Sequence, residues 1–188
     1  MRVFFALEPP GALAIQLADW RDKQLPALGR PVPPGNFHIT LAFLGNISEQ
    51  ELERLCLETD ELLSRRTLEA GTVQLNQLGY WHKNGIFWLG PCAYPPTLKN
   101  LASALESRGV AVGARRKRSR YSPHVTLFRG CHEPPPAPAQ EPNFNWPYDS
   151  FTLLESRMSD HGVSYHPLAE WKLSPASGAT DDQERALR

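Results

Sequence analysis

Two short segments carry residues of matched type and spacing: Phe37-His38-Ile39-Thr40-Leu41 and Pro123-His124-Val125-Thr126-Leu127 both contain His-aliphatic-Thr-Leu. A single His-x-Thr is a weak motif, and a strand histidine satisfied by backbone partners is its ordinary explanation. A matched pair in a chain with only 6 histidines is another matter. In a strand, residues i and i+2 share a face, so each segment would present an imidazole and a hydroxyl about 7 Å apart on one side. Ile39, Leu41, Val125 and Leu127 would then point into a core. Two such strands across a groove supply what in-line displacement at phosphorus needs without a metal. One imidazole removes a proton from the nucleophile, and the other protonates the leaving oxygen. Histidine suits both tasks because its ordinary pKa, near 6.5, allows one ring to be neutral while the other is charged. The Thr40 and Thr126 hydroxyls, with a nearby arginine, can hold the non-bridging oxygens.

The elements that must position these residues can be traced along the chain. Arg2 to Leu7 reads as a strand stopped by Pro9-Pro10-Gly11, and Leu13, Leu17 and Trp20 give the following helix its apolar face. Pro31, Pro33 and Pro34 exclude a helix and prepare an extended segment from Phe37 to Leu44. Ser48 and Glu51 form a capping-box pattern for a helix running to about Arg65 through Leu52, Leu55 and Leu62. Thr72 to Leu78 and Ile86 to Leu89, around Asn84-Gly85, predict a hairpin. Pro95-Pro96 opens a third helix through Leu98, Leu101, Ala102 and Leu105, with Gly109 at the place of a C-terminal cap. A strand follows around His124 to Phe128, then a loop from Pro134 to Pro142 and closing strands over Phe151 to Met158 and Val163 to Leu173. Strands and helices do not alternate regularly, which predicts an α+β fold of mostly antiparallel sheet. One His-x-Thr strand and a helix in each half suggest two similar lobes around a central cleft. Residues 1–175 are expected to form one bilobal domain, and residues 176–188 a disordered tail.

Composition bounds the function. The 188 residues carry 20 Lys+Arg against 20 Asp+Glu, so the formal net charge is zero and a bulk polyanion binder is disfavoured. No apolar run approaches the length needed to span a bilayer, and the first strand breaks before a secretory core could form, so a cytoplasmic protein is expected. Cys56, Cys92 and Cys131 show no CxxC spacing and predict neither a disulfide framework nor a zinc knuckle. His82, Cys131, His132, His161 and His166 lack ligand spacing as a metal set, and no G-x-S-x-G turn supports a serine nucleophile. Arg115 to Arg120 is the one dense basic run. It reads either as an electrostatic guide for RNA backbone or as a solvated loop. Trp81 and His82 could form a base platform, although tryptophan in a hairpin usually packs.

On these residues the sequence resembles the two-histidine (2H) phosphoesterases, and within them the bacterial RNA 2′,3′-cyclic phosphodiesterases, or 2′-5′ RNA ligase family. The resemblance runs from the Arg-Val-Phe-Phe-Ala-Leu opening through Asn36 to Gly45 and Pro123 to Leu127 to the strand at Phe151-Thr152-Leu153. It implies opening of a terminal 2′,3′-cyclic phosphate to a 2′-phosphate, with no metal or organic cofactor. By resemblance His38 is the proton donor to the leaving 3′ oxygen, His124 the proton acceptor, and Thr40 and Thr126 the phosphate-holding hydroxyls. Phe43 and Arg129 each lie five residues after a histidine; the first is expected to stack a base and the second to contact phosphate or ribose. That odd offset requires a bulge or strand end to turn them into the cleft. The implied partner is an RNA 3′ end or nucleotide bearing a 2′,3′-cyclic phosphate; neither a membrane nor an obligate protein partner is inferred, and a monomer is expected. The competing expectations are a cyclic phosphate on a small nucleotide or on ADP-ribose, a non-catalytic RNA-end or nucleotide-binding module, and reversible 2′-5′ RNA ligation by the same chemistry.

Overall fold

A computed structural model describes residues 1–26, 29–115, 120–160 and 162–176. The central part of the basic run, 116–119, and the tail from 177 lie outside the described residues. Strand β1 (Arg2–Leu7) leads to α1 (Gly11–Gln24), which buries Leu13, Leu17 and Trp20 and ends where Pro26 forces Leu25 into an extended conformation. A two-residue strand, β2 (Arg30–Pro31), and a 3-10 turn at Pro34–Asn36 precede β3 (Ile39–Asn46). Then follow α2 (Glu49–Arg65), β4 (Gly71–Leu75), β5 (Gln77–Trp81), β6 (Ile86–Gly90), α3 (Pro96–Ala111), β7 (Val125–Arg129), β8 (Phe144–Tyr148), β9 (Ser150–Ser159) and β10 (Gly162–Lys172).

The strands form two four-stranded sheets, β10-β9-β1-β3 and β2-β7-β6-β5, and a separate β4-β8 pair, with antiparallel pairing within each. Each four-stranded sheet carries one His-x-Thr segment. The lobes are not halves of the sequence, however. The first sheet joins β1 and β3 to β9 and β10, so the chain visits the second sheet and returns. One contiguous core includes Phe5, Ile39 and Phe151 from the first sheet, Leu89 and Leu127 from the second, Trp146 from β8 and Leu17 from α1. Among the described residues no helix is long and apolar enough to cross a membrane.

The α2 start follows its sequence signature. Ser48 Oγ accepts from the Glu51 N–H at 3.2 Å, while the Glu51 carboxylate accepts from the Ser48 N–H at 2.7 Å. These Ser48 contacts lower the Glu51 pKa. Ser48→Ala is expected to lower stability by about 1 kcal/mol, readable as an earlier denaturation midpoint at unchanged denaturant slope.

Two expectations are corrected. The single strand expected over Thr72 to Leu78 is two, divided at Asn76: β4 pairs with β8, and β5 forms the hairpin with β6. Gly109 lies inside α3 rather than capping it; an added Cβ would stand 1.8 Å from Leu44 Cδ2, so glycine lets α3 approach β3 closely. The positive φ at the end of α3 belongs to Gly113. Strand β8 is an addition to the expected strands, and it contains Pro147. The proline is tolerated here because β8 has a partner on one side only.

Candidate active site

His38 and His124 each sit one residue before their strand and are held in the same way. His38 Nδ1–H donates to the Asn36 carbonyl at 2.8 Å, and His124 Nδ1–H donates to the Ser122 carbonyl at 2.8 Å. A carbonyl can only accept, so Nδ1 carries the proton and Nε2 is the lone-pair nitrogen of each neutral ring. Aromatic neighbours fix the ring planes. The Phe4 and Tyr165 rings lie 5.0 and 4.8 Å from that of His38, the latter edge-on. Trp81 meets His124 edge-on at 4.4 Å, with Trp88 at 6.2 Å. Asn36 also donates from Nδ2 to the Val163 carbonyl at 2.8 Å, tying the turn that anchors His38 to the strand that carries Tyr165.

Strand irregularities then sort the remaining side chains. Across β1 and β3, Ala6 opposes Thr40 and Phe4 opposes Phe43, with a register shift between Phe5 and Ala6. Ala6 and Phe4 share a face, so the bulge brings Phe43 to the face of Thr40. In β7 the same device appears: Trp88 opposes Thr126 and Ile86 opposes Arg129, with a shift between Phe87 and Trp88. Arg129 thereby joins the face of Thr126. The extra residues that the odd offsets required are present in both strands. Both threonines are half-buried.

The charges meet here as well. Burial lowers the His38 pKa to about 4; the Asn36 carbonyl opposes that shift, and the positive charges of His124 and Arg129 add to it. His38 is therefore neutral at pH 7 in the free protein, in a site that resists a second positive charge. A cleft of about 280 Å³ opens beside Thr40 and His124, lined also by Phe43, Lys99, Ser103, Arg120 and Tyr121. Phe43 is 44% exposed, and the Arg2 guanidinium lies 5.0 Å from its ring centroid. Among the described residues no three of His, Cys, Asp and Glu are grouped so as to hold a metal ion.

A family model described as LigT like Phosphoesterase matches residues 7–88. Over 177 residues the chain is 35% identical to an RNA 2′,3′-cyclic phosphodiesterase of Escherichia coli, covering 92% of this chain and 97% of the relative. The chain belongs to the LigT-like phosphoesterases. A relative of the same name from Thermus thermophilus is 30% identical, covering 97% of this chain and 96% of its own length. The crystal structure of E. coli LigT complexed with 3′-AMP is 32% identical and superposes with a TM-score of 0.83, covering 92% of this chain and 98% of that one.

In this LigT-like chain Thr40, Phe43 and His124 share the cleft, His38 feels the charges of His124 and Arg129, and Thr126 lies on the same face of β7 as Arg129. Sequence reasoning missed Phe4, Tyr165 and Trp88, which orient the histidines, and Lys99, Ser103 and Tyr121 of the cleft wall. Tyr165 lies more than a hundred residues from His38 in sequence, and no local pattern links them. Trp81 was visible as an aromatic before a turn; its ring packs against the edge of His124.

Proposed function

We propose that the protein hydrolyses the terminal 2′,3′-cyclic phosphate of RNA to a 2′-phosphate by metal-independent acid/base catalysis between His38 and His124. The shared name of the relatives supports RNA as the substrate. The observation that carries the mechanism is the identical anchoring of the two rings, Nδ1 on a carbonyl two residues back, which leaves Nε2 of each for proton transfer. His124 Nε2 accepts a proton from water as its oxygen bonds to phosphorus. The bond from phosphorus to the 3′ oxygen breaks, and that oxygen takes the proton from His38 Nε2. His38, neutral in the free protein, acquires its proton as the anionic phosphodiester enters and offsets the neighbouring positive charges. Thr40, Thr126 and Arg129 hold the non-bridging oxygens, and Phe43 offers a surface to the base. A 5′-hydroxyl in place of water would form a 2′–5′ linkage by the same steps.

The test is turnover, in chelator, of a short RNA ending in a 2′,3′-cyclic phosphate, with the product isomer identified. A 2′-phosphate product is expected; a 3′-phosphate, or activity only with added metal, would overturn the mechanism. A smaller effect follows from Gly79, which opposes Trp88. A Cβ there would collide with Trp88 Cζ2 and push the indole from its place beside Trp81 and His124. Gly79→Ala is expected to lower kcat roughly tenfold with little change in KM, because misplacement of a reacting group by a fraction of an ångström is costly. Steady-state kinetics on the same RNA read this directly.

A further inference from the structure

The open volume is not symmetric about the histidines. Thr40 and His124 line it, but His38, Thr126 and Arg129 do not, and it runs from the reacting groups toward α3. The reacting phosphate belongs between the imidazoles, and the cleft that Thr40 and His124 line gives the rest of the substrate room on the α3 side. About 280 Å³ is at the lower end for small-molecule sites and suits a single nucleotide. A longer chain would have to leave across the rim.

At that rim stand Lys99 and Arg120, both exposed and both lining the cleft. Among the described residues neither takes part in an ion pair, although the structure pairs Arg65, Arg108, Arg157 and Lys172 with carboxylates. Lys99 lies near the start of α3, whose first turn holds no acidic residue, so the helix dipole adds to its positive potential. Glu106, the carboxylate in the lining, lies two helical turns farther on, about 10 Å along the axis. In a chain of zero net charge Lys99 and Arg120 are two cations without an ion pair among the described residues, on the same cleft as Thr40, Phe43 and His124.

We infer that Lys99 and Arg120 form a second anion subsite for the 5′-phosphate of the terminal nucleotide, which in RNA is the last internucleotide phosphodiester. The inference rests on the phosphodiesterase reading above and adds the feature that separates an RNA end from a nucleoside cyclic phosphate lacking a 5′-phosphate. Phe43 is the adjacent surface for the base.

The experiment uses ligands that do not react. Affinities of adenosine 2′-monophosphate and adenosine 2′,5′-bisphosphate are measured by calorimetry on the full chain at two salt concentrations. The bisphosphate is expected to bind about tenfold more tightly at low salt, a difference of about 1.4 kcal/mol, with the steeper salt dependence of an added phosphate contact. In a Lys99→Gln/Arg120→Gln double variant that ratio falls to near one, whereas Lys23→Gln, an exposed lysine on α1, leaves it intact. Equal affinities in the natural protein, or a ratio that survives the double substitution, would overturn the subsite. Turnover of cyclic-phosphate RNA by the same preparation tests the reaction separately: turnover without a ratio removes the subsite and keeps the reaction, and a ratio without turnover does the reverse.

Discussion

His38→Ala and His124→Ala should each lower turnover of cyclic-phosphate RNA by about 10²–10⁴-fold while retaining affinity for the 2′-phosphate product, as measured by single-turnover kinetics and calorimetry. That is the ordinary range for removing one positioned acid or base. The geometry makes both losses expected. Each Nε2 is the one ring nitrogen left for substrate once Nδ1 is committed to the Asn36 or Ser122 carbonyl, and no third histidine borders either ring among the described residues. Because the two rings act in one displacement, their losses should not add; the double variant is expected to be no more than slightly slower than the slower single variant. Retained ligand binding matters as much as the loss of rate. A binding module with this fold would show affinity but no turnover in the natural protein, and a folding defect would remove both. If either single variant kept more than a tenth of the natural rate, the paired-histidine mechanism would be wrong.

The reacting groups were legible because their chemistry is local: an imidazole and a hydroxyl two residues apart on a strand form a pattern within a tripeptide. Even the bulges could be anticipated, since Phe43 and Arg129 share the face of the threonines from an odd offset only through an inserted residue, and one lies between Thr40 and Phe43 in the pairing of β1 with β3 and one between Thr126 and Arg129 in that of β6 with β7. What stayed hidden is long-range. Tyr165 reaches His38 because β10 pairs with β9, and β9 with β1. The hairpin of β9 and β10 was foreseeable, but its return to the first sheet was not. The division of the Thr72 to Leu78 segment also depends on partners: Val73 and Leu75 alternate as one strand would, yet Asn76 turns the chain from β8 toward β6, its N–H donating to the Gly90 carbonyl and its side-chain oxygen accepting from the Cys92 N–H. Gly109 shows the same limit in a helix. A glycine near a helix end looks like a cap in sequence, and only the approach of Leu44 reveals that it is a contact.

The acid side of the pH profile should bear the mark of the His38 environment. The displacement needs one proton on the histidine pair, so activity in kcat/KM falls on the acid side when the free protein takes up a second. Burial and the charges of His124 and Arg129 hold His38 at about 4, so kcat/KM is expected to persist down to about pH 4 rather than fall below the ordinary histidine value near 6.5. Arg129→Gln removes one of the opposing charges and should move that limb upward, the reverse of what loss of a carboxylate would do. Stability is linked to the same group. In the unfolded chain His38 binds its proton near 6.5 and in the folded chain only near 4, so the unfolded state gains protons first as pH falls. The folded state keeps full stability from this group above about 6.5 and loses about 3 kcal/mol of it as pH falls to 4, with no further loss from this group below. Denaturant unfolding at pH 7 and pH 4 should therefore show a smaller decline for His38→Gln than for the natural protein. Parallel declines would mean that the imidazole protonates freely in the folded state, and an acid limb near 6.5 would say the same from kinetics. Agreement between the two would tie the rate and the stability to one desolvated ring, held neutral until the phosphate anion arrives to charge it.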